Sequence, residues 1–219
     1  MTRAAVRRAR KKFLAYFPDG FRDETYVETE RAPKWRAHLD WIERLGSNEF
    51  AKLLEARRYA EIAQRAVRIE SRTYLLFSFE KMALRDAVRT AQGARLFAES
   101  LYEWLYVPGQ AGDRFDTWTA ALDSLPRRQT RVRTWPVTTV FGFIARPRVH
   151  MYVKPTTIRA AADAYDFPLE YSSRPDWATY RQVLAFARDV RRDIADLRPR
   201  DMIDIQGFLW VLGSDEYPD

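Results

Sequence analysis

The chain has 219 residues, 47% of them hydrophobic and 14% aromatic, enough apolar material for a sizeable core and too much for a disordered segment. It has no cysteine, which excludes disulfides, thiolate catalysis and every metal site that needs Cys ligands. Its net charge of +7 is unevenly placed: residues 1–12 carry six basic side chains and residues 124–162 carry eight, with no acid in either interval, so the remainder is net negative.

That placement is what an anionic partner uses, and nucleic acid is the first candidate. The amount of charge says less, because 31 of the 37 basic residues are Arg, as a GC-rich genome produces without functional demand. No run approaches the ~20 apolar residues that span a bilayer. The basic start, MTRAAVRRARKKFLAYF, lacks the apolar stretch of a secretory signal. A cytoplasmic protein with no membrane partner, metal or cofactor is the expectation.

Residues 3–17 read as an amphipathic helix with Val6, Ala9, Phe13 and Phe17 on one face, closed by Pro18-Asp19-Gly20. From Lys34 to Val107 there is no proline, and this stretch forms most of a helical body over 1–125. Trp35, His38, Leu39, Trp41, Ile42 and Leu45 make a helical stripe ending at Gly46, a further helix starts at Ser47, and another covers Tyr59 to Ser71. Arg72 to Thr90 is the most apolar stretch. Leu75, Leu76, Phe77, Phe79, Met82 and Leu84 cover most of a helix circumference, which predicts a central helix packed on several sides. Glu80 lies within it, and a carboxylate there must be paired or chemically special.

Residues 126–175 form a mixed, Pro-rich, basic segment. Val137 to Ile144 is β-branched and aromatic, and Val149 to Val153 alternates, which favours a hairpin with Ala145 to Arg148 as its loop. A rival reading makes Pro136 the N1 residue of a helix through Ala145. C-terminal helices follow over 176–213, the last opened by Asp201. The predicted fold is mainly α, one domain over 1–219, with a small β element around residues 137–153.

Three stretches, RAVRIESRTYLLFSFEKMALRDAV (65–88), RVRTWPVTTVFGFIA (131–145) and RPRDMIDIQGFLWVLGSDEY (198–217), resemble an uncharacterised bacterial protein family. The resemblance covers most of the chain and implies no activity.

Phosphate-cradling loops of the GxxxxGK[ST] and GxGxxG kinds are absent, as is a GxSxG elbow. Asp201, Asp204, Asp215 and Glu216 cluster around the last helix, where capping accounts for them better than a Mg²⁺ site. The leading expectation is nucleic-acid binding, in a DNA-processing or defence setting, through Arg127, Arg128, Arg131, Arg133, Arg146, Arg148 and Lys154. Backbone neutralisation supplies the affinity, and aromatic stacking adds to it. One alternative is an enzyme with a pocket between the helical body and the 137–154 element, with His150 and Glu80 as its titrating pair. Another is a protein-interaction module whose basic face takes an acidic partner.

Overall fold

The computed structural model describes residues 2–126 and 131–218. Its organisation follows from two helices that are apolar nearly all round. α9 (Trp135–Ala145) is buried at every residue, and α12 (Met202–Gly213) at every residue except Trp210 and Gly213. A helix without a polar face is stable in water only when others enclose it. α9 is packed by α3 (Ala32–Leu45), α5 (Tyr59–Ser71) and α8 (Ala111–Ser124). Against α12 lie α1 (Arg3–Tyr16), α10 (Pro155–Ala164) and α11 (Trp177–Asp193). α4 (Ser47–Glu55) and α7 (Ala91–Tyr106) complete the helical body, and one continuous cluster of buried residues runs from Ala9 to Leu212.

The molecule is mainly helical, and no strand occurs among the described residues, so the expected β element at 137–153 is corrected to a buried helix followed by a turn at 147–149 and an irregular segment. Strand propensity in Val137-Thr138-Thr139-Val140 is outweighed by local signals and burial. Thr134 caps α9, accepting from Val137 N at 3.3 Å, and Pro136 occupies the first turn, where its missing N–H costs nothing. Gly142 lets the body close on α9, since a Cβ there would lie 2.5 Å from the Trp104 ring. Residues 150–153 are irregular and pair with side chains instead of a sister strand. Met151 N donates to Tyr180 Oη (3.1 Å), which donates back to Met151 O (3.1 Å), and Val153 N donates to Thr139 Oγ1 (3.0 Å). These bonds satisfy backbone groups that burial would otherwise leave unmet.

A second correction concerns 72–90. The helix α6 spans only Ser78–Ala87, residues 72–77 form a loop, and Tyr74, Phe77, Phe79 and Met82 are exposed.

The N-terminal third is fastened to α12 by ion pairs. α2 (Glu24–Tyr26) runs through a π-helical turn, Val27–Arg31, into α3. Arg31, 7% exposed, forks onto Asp201 with Nη1–Oδ1 at 2.9 Å and Nη2–Oδ2 at 2.8 Å, and Nη1 also reaches Asp204 Oδ1 at 2.9 Å. Arg200 Nε donates to Asp204 Oδ2 (2.8 Å), and Tyr26 Oη donates to Oδ1 (3.0 Å). Burial opposes the Arg31 charge, but Asp201 and Asp204 more than offset it and raise its pKa. Tyr26 reaches Asp204 because Gly207 leaves room: a Cβ there would lie 2.7 Å from the tyrosine oxygen.

Removing Arg31 leaves Asp201, 4% exposed, without an ion-pair partner, and takes one of the donors from Asp204, which keeps Arg200 and Tyr26. Arg31→Met should destabilise the protein by about 3–5 kcal/mol in chemical denaturation. Adding Asp201→Asn, which keeps the helix cap, should recover part of the loss because one stranded charge is removed.

Candidate functional site

The loop between α5 and α6 is shaped by two carboxylates that the apolar pattern hides. Glu70, 1% exposed, accepts from the Leu76 backbone N–H and, at 3.4 Å, from Thr73 Oγ1, with Lys81 Nζ at 3.7 Å. Glu80 reaches back to Phe77 N (3.1 Å) and accepts from Thr134 Oγ1 (2.6 Å). Lys81 Nζ donates to Thr73 O (2.8 Å). Backbone groups that would have continued a helix are thereby taken by side chains. The consequence is an outward-facing aromatic edge. Tyr74 is 93% exposed, and Phe77 and Phe79 stack with centroids 5.7 Å apart.

Behind that edge lies a cleft of about 500 Å³. Tyr74, Leu75 and Phe77 contribute one side, Glu30, Pro33 and Lys34 another, and Gln206, Trp210 and Tyr217 a third, with Tyr152 and Lys154 between them in sequence. The three stretches that carry the resemblance meet here: Tyr74 to Phe77 and Gln206 to Tyr217 line the cleft, and Thr134 holds Glu80 beneath the aromatic edge. Lys154 Nζ stands 4.2 Å from the Trp210 ring centroid and 5.0 Å from that of Phe77. Its charge helps hold Glu80 down against burial, which raises that carboxyl, yet it forms no ion pair among the described residues. Glu30 is engaged by Lys34 (2.9 Å) and by the Tyr217 hydroxyl (2.9 Å). Gln206 is 6% exposed, and its Oε1 has no hydrogen-bond partner among the described residues.

A separate groove contains Arg146, Arg148 and Arg200 together with the rings of Trp35 and His38, whose centroids are 4.9 Å apart. Arg148 and Arg200 are exposed, and Arg146 Nη1 donates to Leu105 O at 2.7 Å. The acid on its wall, Asp201, is held by Arg31. His38 Nδ1 lies 2.7 Å from Ile144 O, and burial lowers its pKa.

The basic residues singled out in the sequence therefore separate. Arg127 and Arg128 lie outside the described residues. Arg131 is exposed. Arg133 is turned inward, pairing with Asp123 at 2.5 Å and donating to Pro175 O, so its charge is used within the protein. Arg146 and Arg148 share the groove, whereas Lys154 belongs to the cleft. Glu80 and His150 have different partners. An edge of His150 reaches solvent, but the ring is packed 4.9 Å from Trp104 with Nδ1 3.4 Å from Tyr180 Oη. Burial, then Arg146 and Arg114, lowers its pKa to about 3, so it is neutral at pH 7. Of the C-terminal acids, Asp201 caps α12 through Ile203 N (3.0 Å), and Asp215 and Glu216 are exposed.

Comparison with protein-family models, curated proteins and solved structures finds no match. Among the described residues no helix is long and apolar enough to cross a membrane.

Sequence reasoning passed over Tyr74, Gln206 and Trp210. The available signal was the lone carboxamide inside the apolar MIDIQGFLW run.

Glu70 carries the clearest pH signature at this site. Burial, partly offset by Lys81, Thr73 and Leu76, raises its pKa from 4.5 to about 7. A carboxyl raised in the folded state contributes fully below its unfolded pKa and loses that contribution as pH rises through the folded value. Glu70→Gln should match the parent near pH 4 and exceed it by about 3 kcal/mol at pH 8, read as the difference between their denaturation curves.

Proposed function

We propose that this protein binds nucleic acid through the groove holding Arg146, Arg148 and Arg200. The supporting observation is electrostatic. Arg146 and Arg148 line one open depression whose acids are already answered, Asp201 by Arg31 and Asp204 by Arg31 and Arg200. Phosphate contacts of this kind supply affinity without sequence information. Trp35 and His38 add flat surfaces against which a sugar or an unstacked base rests. Arg131, exposed, extends the same chemistry, whereas Arg133 is committed to Asp123.

The groove offers few uncommitted cations, so the salt dependence should be modest. Two to three phosphate contacts correspond to a slope of about −2 in log affinity against log salt. Arg148→Glu should weaken binding of single- and double-stranded DNA and RNA alike by at least ~10-fold and flatten that slope by about 1, without lowering stability. Gel shifts and anisotropy at several salt concentrations measure both. Absence of any complex at low salt across the panel overturns the reading.

A further inference from the structure

We infer that the cleft around Lys154 is a binding site for one nucleotide unit, a planar base carrying a phosphate. This site is separate from the Arg148 groove and does not depend on it.

Three features of the cleft call for three parts of the ligand. The first is the unpaired cation. Lys154 Nζ is held by the faces of Trp210 and Phe77, at 4.2 and 5.0 Å, and pairs with no carboxylate among the described residues. A cation fixed by ring faces is preorganised yet keeps its capacity for an anion. The second is the carboxamide of Gln206. It is 6% exposed, lines the cleft, and leaves Oε1 without a partner. A buried polar atom left unsatisfied costs stability, so a ligand that supplies its partner recovers that cost on binding. Carboxamides pair with the edges of bases, which offer N–H and acceptor atoms side by side. The third is the aromatic wall. Tyr74 is 93% exposed although it stands in an apolar run, and its ring is the aromatic surface suited to a base, since Phe77 is stacked on Phe79 and Phe77 and Trp210 both face Lys154.

Glu80, on which the Lys154 charge acts, has its oxygens taken by Thr134 Oγ1 and Phe77 N. Glu30 is bound by Lys34 and Tyr217, and Glu216 accepts from Trp210 Nε1 at 3.3 Å. The volume of about 500 Å³ lies in the range of small-ligand pockets. A simple anion would satisfy Lys154 but neither the rings nor Gln206. The ligand can arrive as a free mononucleotide or as an unpaired nucleotide of a strand, and the chemistry at the cleft is the same.

Titration calorimetry with the four ribonucleoside 5′-monophosphates, inorganic phosphate and a short single-stranded oligonucleotide tests this. At least one monophosphate, or the oligonucleotide, should bind. Lys154→Gln, Gln206→Leu and Tyr74→Ala should each weaken that binding about tenfold. Gln206→Leu should also melt at or above the parent temperature, because it removes an unsatisfied group, which separates a binding role from a structural one. Tyr74→Ala touches an exposed ring and keeps the test valid if another variant fails to fold. Binding of monophosphates identifies a free nucleotide. Oligonucleotide binding that is sensitive to Tyr74→Ala but not to Arg148→Glu identifies a strand nucleotide at the cleft. Binding of phosphate alone, or nucleotide binding unaffected by all three variants, or no binding of either nucleotide source, overturns the assignment. Oligonucleotide binding lost in Arg148→Glu but unchanged in the cleft variants leaves the groove standing and removes the cleft.

Discussion

The guanidinium of Arg31 sets the relation between the two ends of the chain. It lies in a π-helical turn of the N-terminal third and is met by two carboxylates 170 and 173 residues away in sequence. Desolvating these groups is costly, and the attraction between them offsets that cost only while the fork, the cap and the tyrosine hydroxyl are all in place. Apolar contacts alone would allow the π-helical turn and α12 to slide over each other by small steps. A bidentate arginine does not tolerate such slips, since half a turn of helix breaks both bonds. Gly207 belongs to the same device, because it lets Tyr26 close onto Asp204.

The same physics, at smaller scale, shapes the loop at residues 72–77. Glu70 and Glu80 are both buried, and both use their oxygens on backbone N–H groups at the start of α6. The result is a local break in an apolar run that would otherwise have been helical and hidden. The exposed rings are the other side of that exchange: two carboxylates go in, and Tyr74 and Phe77 come out. A protein that keeps aromatic surface in water at this position forgoes burial worth about 1.5–3 kcal/mol for a large apolar side chain.

Much of the helical plan was legible because amphipathic helices announce their period. The stripe in α1, the positions of α3 and α5 and the cap at Asp201 read directly from residue types, although Leu39 and Ile42, counted in the α3 stripe, are exposed. α9 was not legible for the opposite reason. A helix buried at every position has no stripe, and its Val and Thr residues then vote for a strand. Thr134 and Pro136 held the correct answer, but only as one of two readings. Glu80 stood out in the sequence as a carboxylate needing a partner, and Thr134, from the Pro-rich segment, is that partner. Its pairing with His150 depended on a hairpin geometry that the fold does not have. Arg133 was indistinguishable from Arg131 by type and spacing; only the placement of Asp123 and Pro175 separates an internal tie from a surface charge.

The Arg31 network and the Lys154 cleft share their elements, and this links stability to function. Glu30 and Lys34 border the cleft while Arg31, between them, enters the network. On α12, Asp204 faces the network, whereas Gln206 and Trp210, one turn apart, face the cleft. The distance across the cleft is therefore fixed by the same bonds that hold the π-helical turn against α12. Stacking and a carboxamide contact require walls held to within fractions of an ångström, and helices joined only by apolar packing do not supply that precision. A buried ion-pair network contributes little net stability over a well-packed apolar equivalent, so its value here lies in fixing register. The rings at 72–77 are carried by a loop that Glu70 and Glu80 hold. The other two walls, on the π-helical turn leading into α3 and on α12, are tied to each other through Arg31.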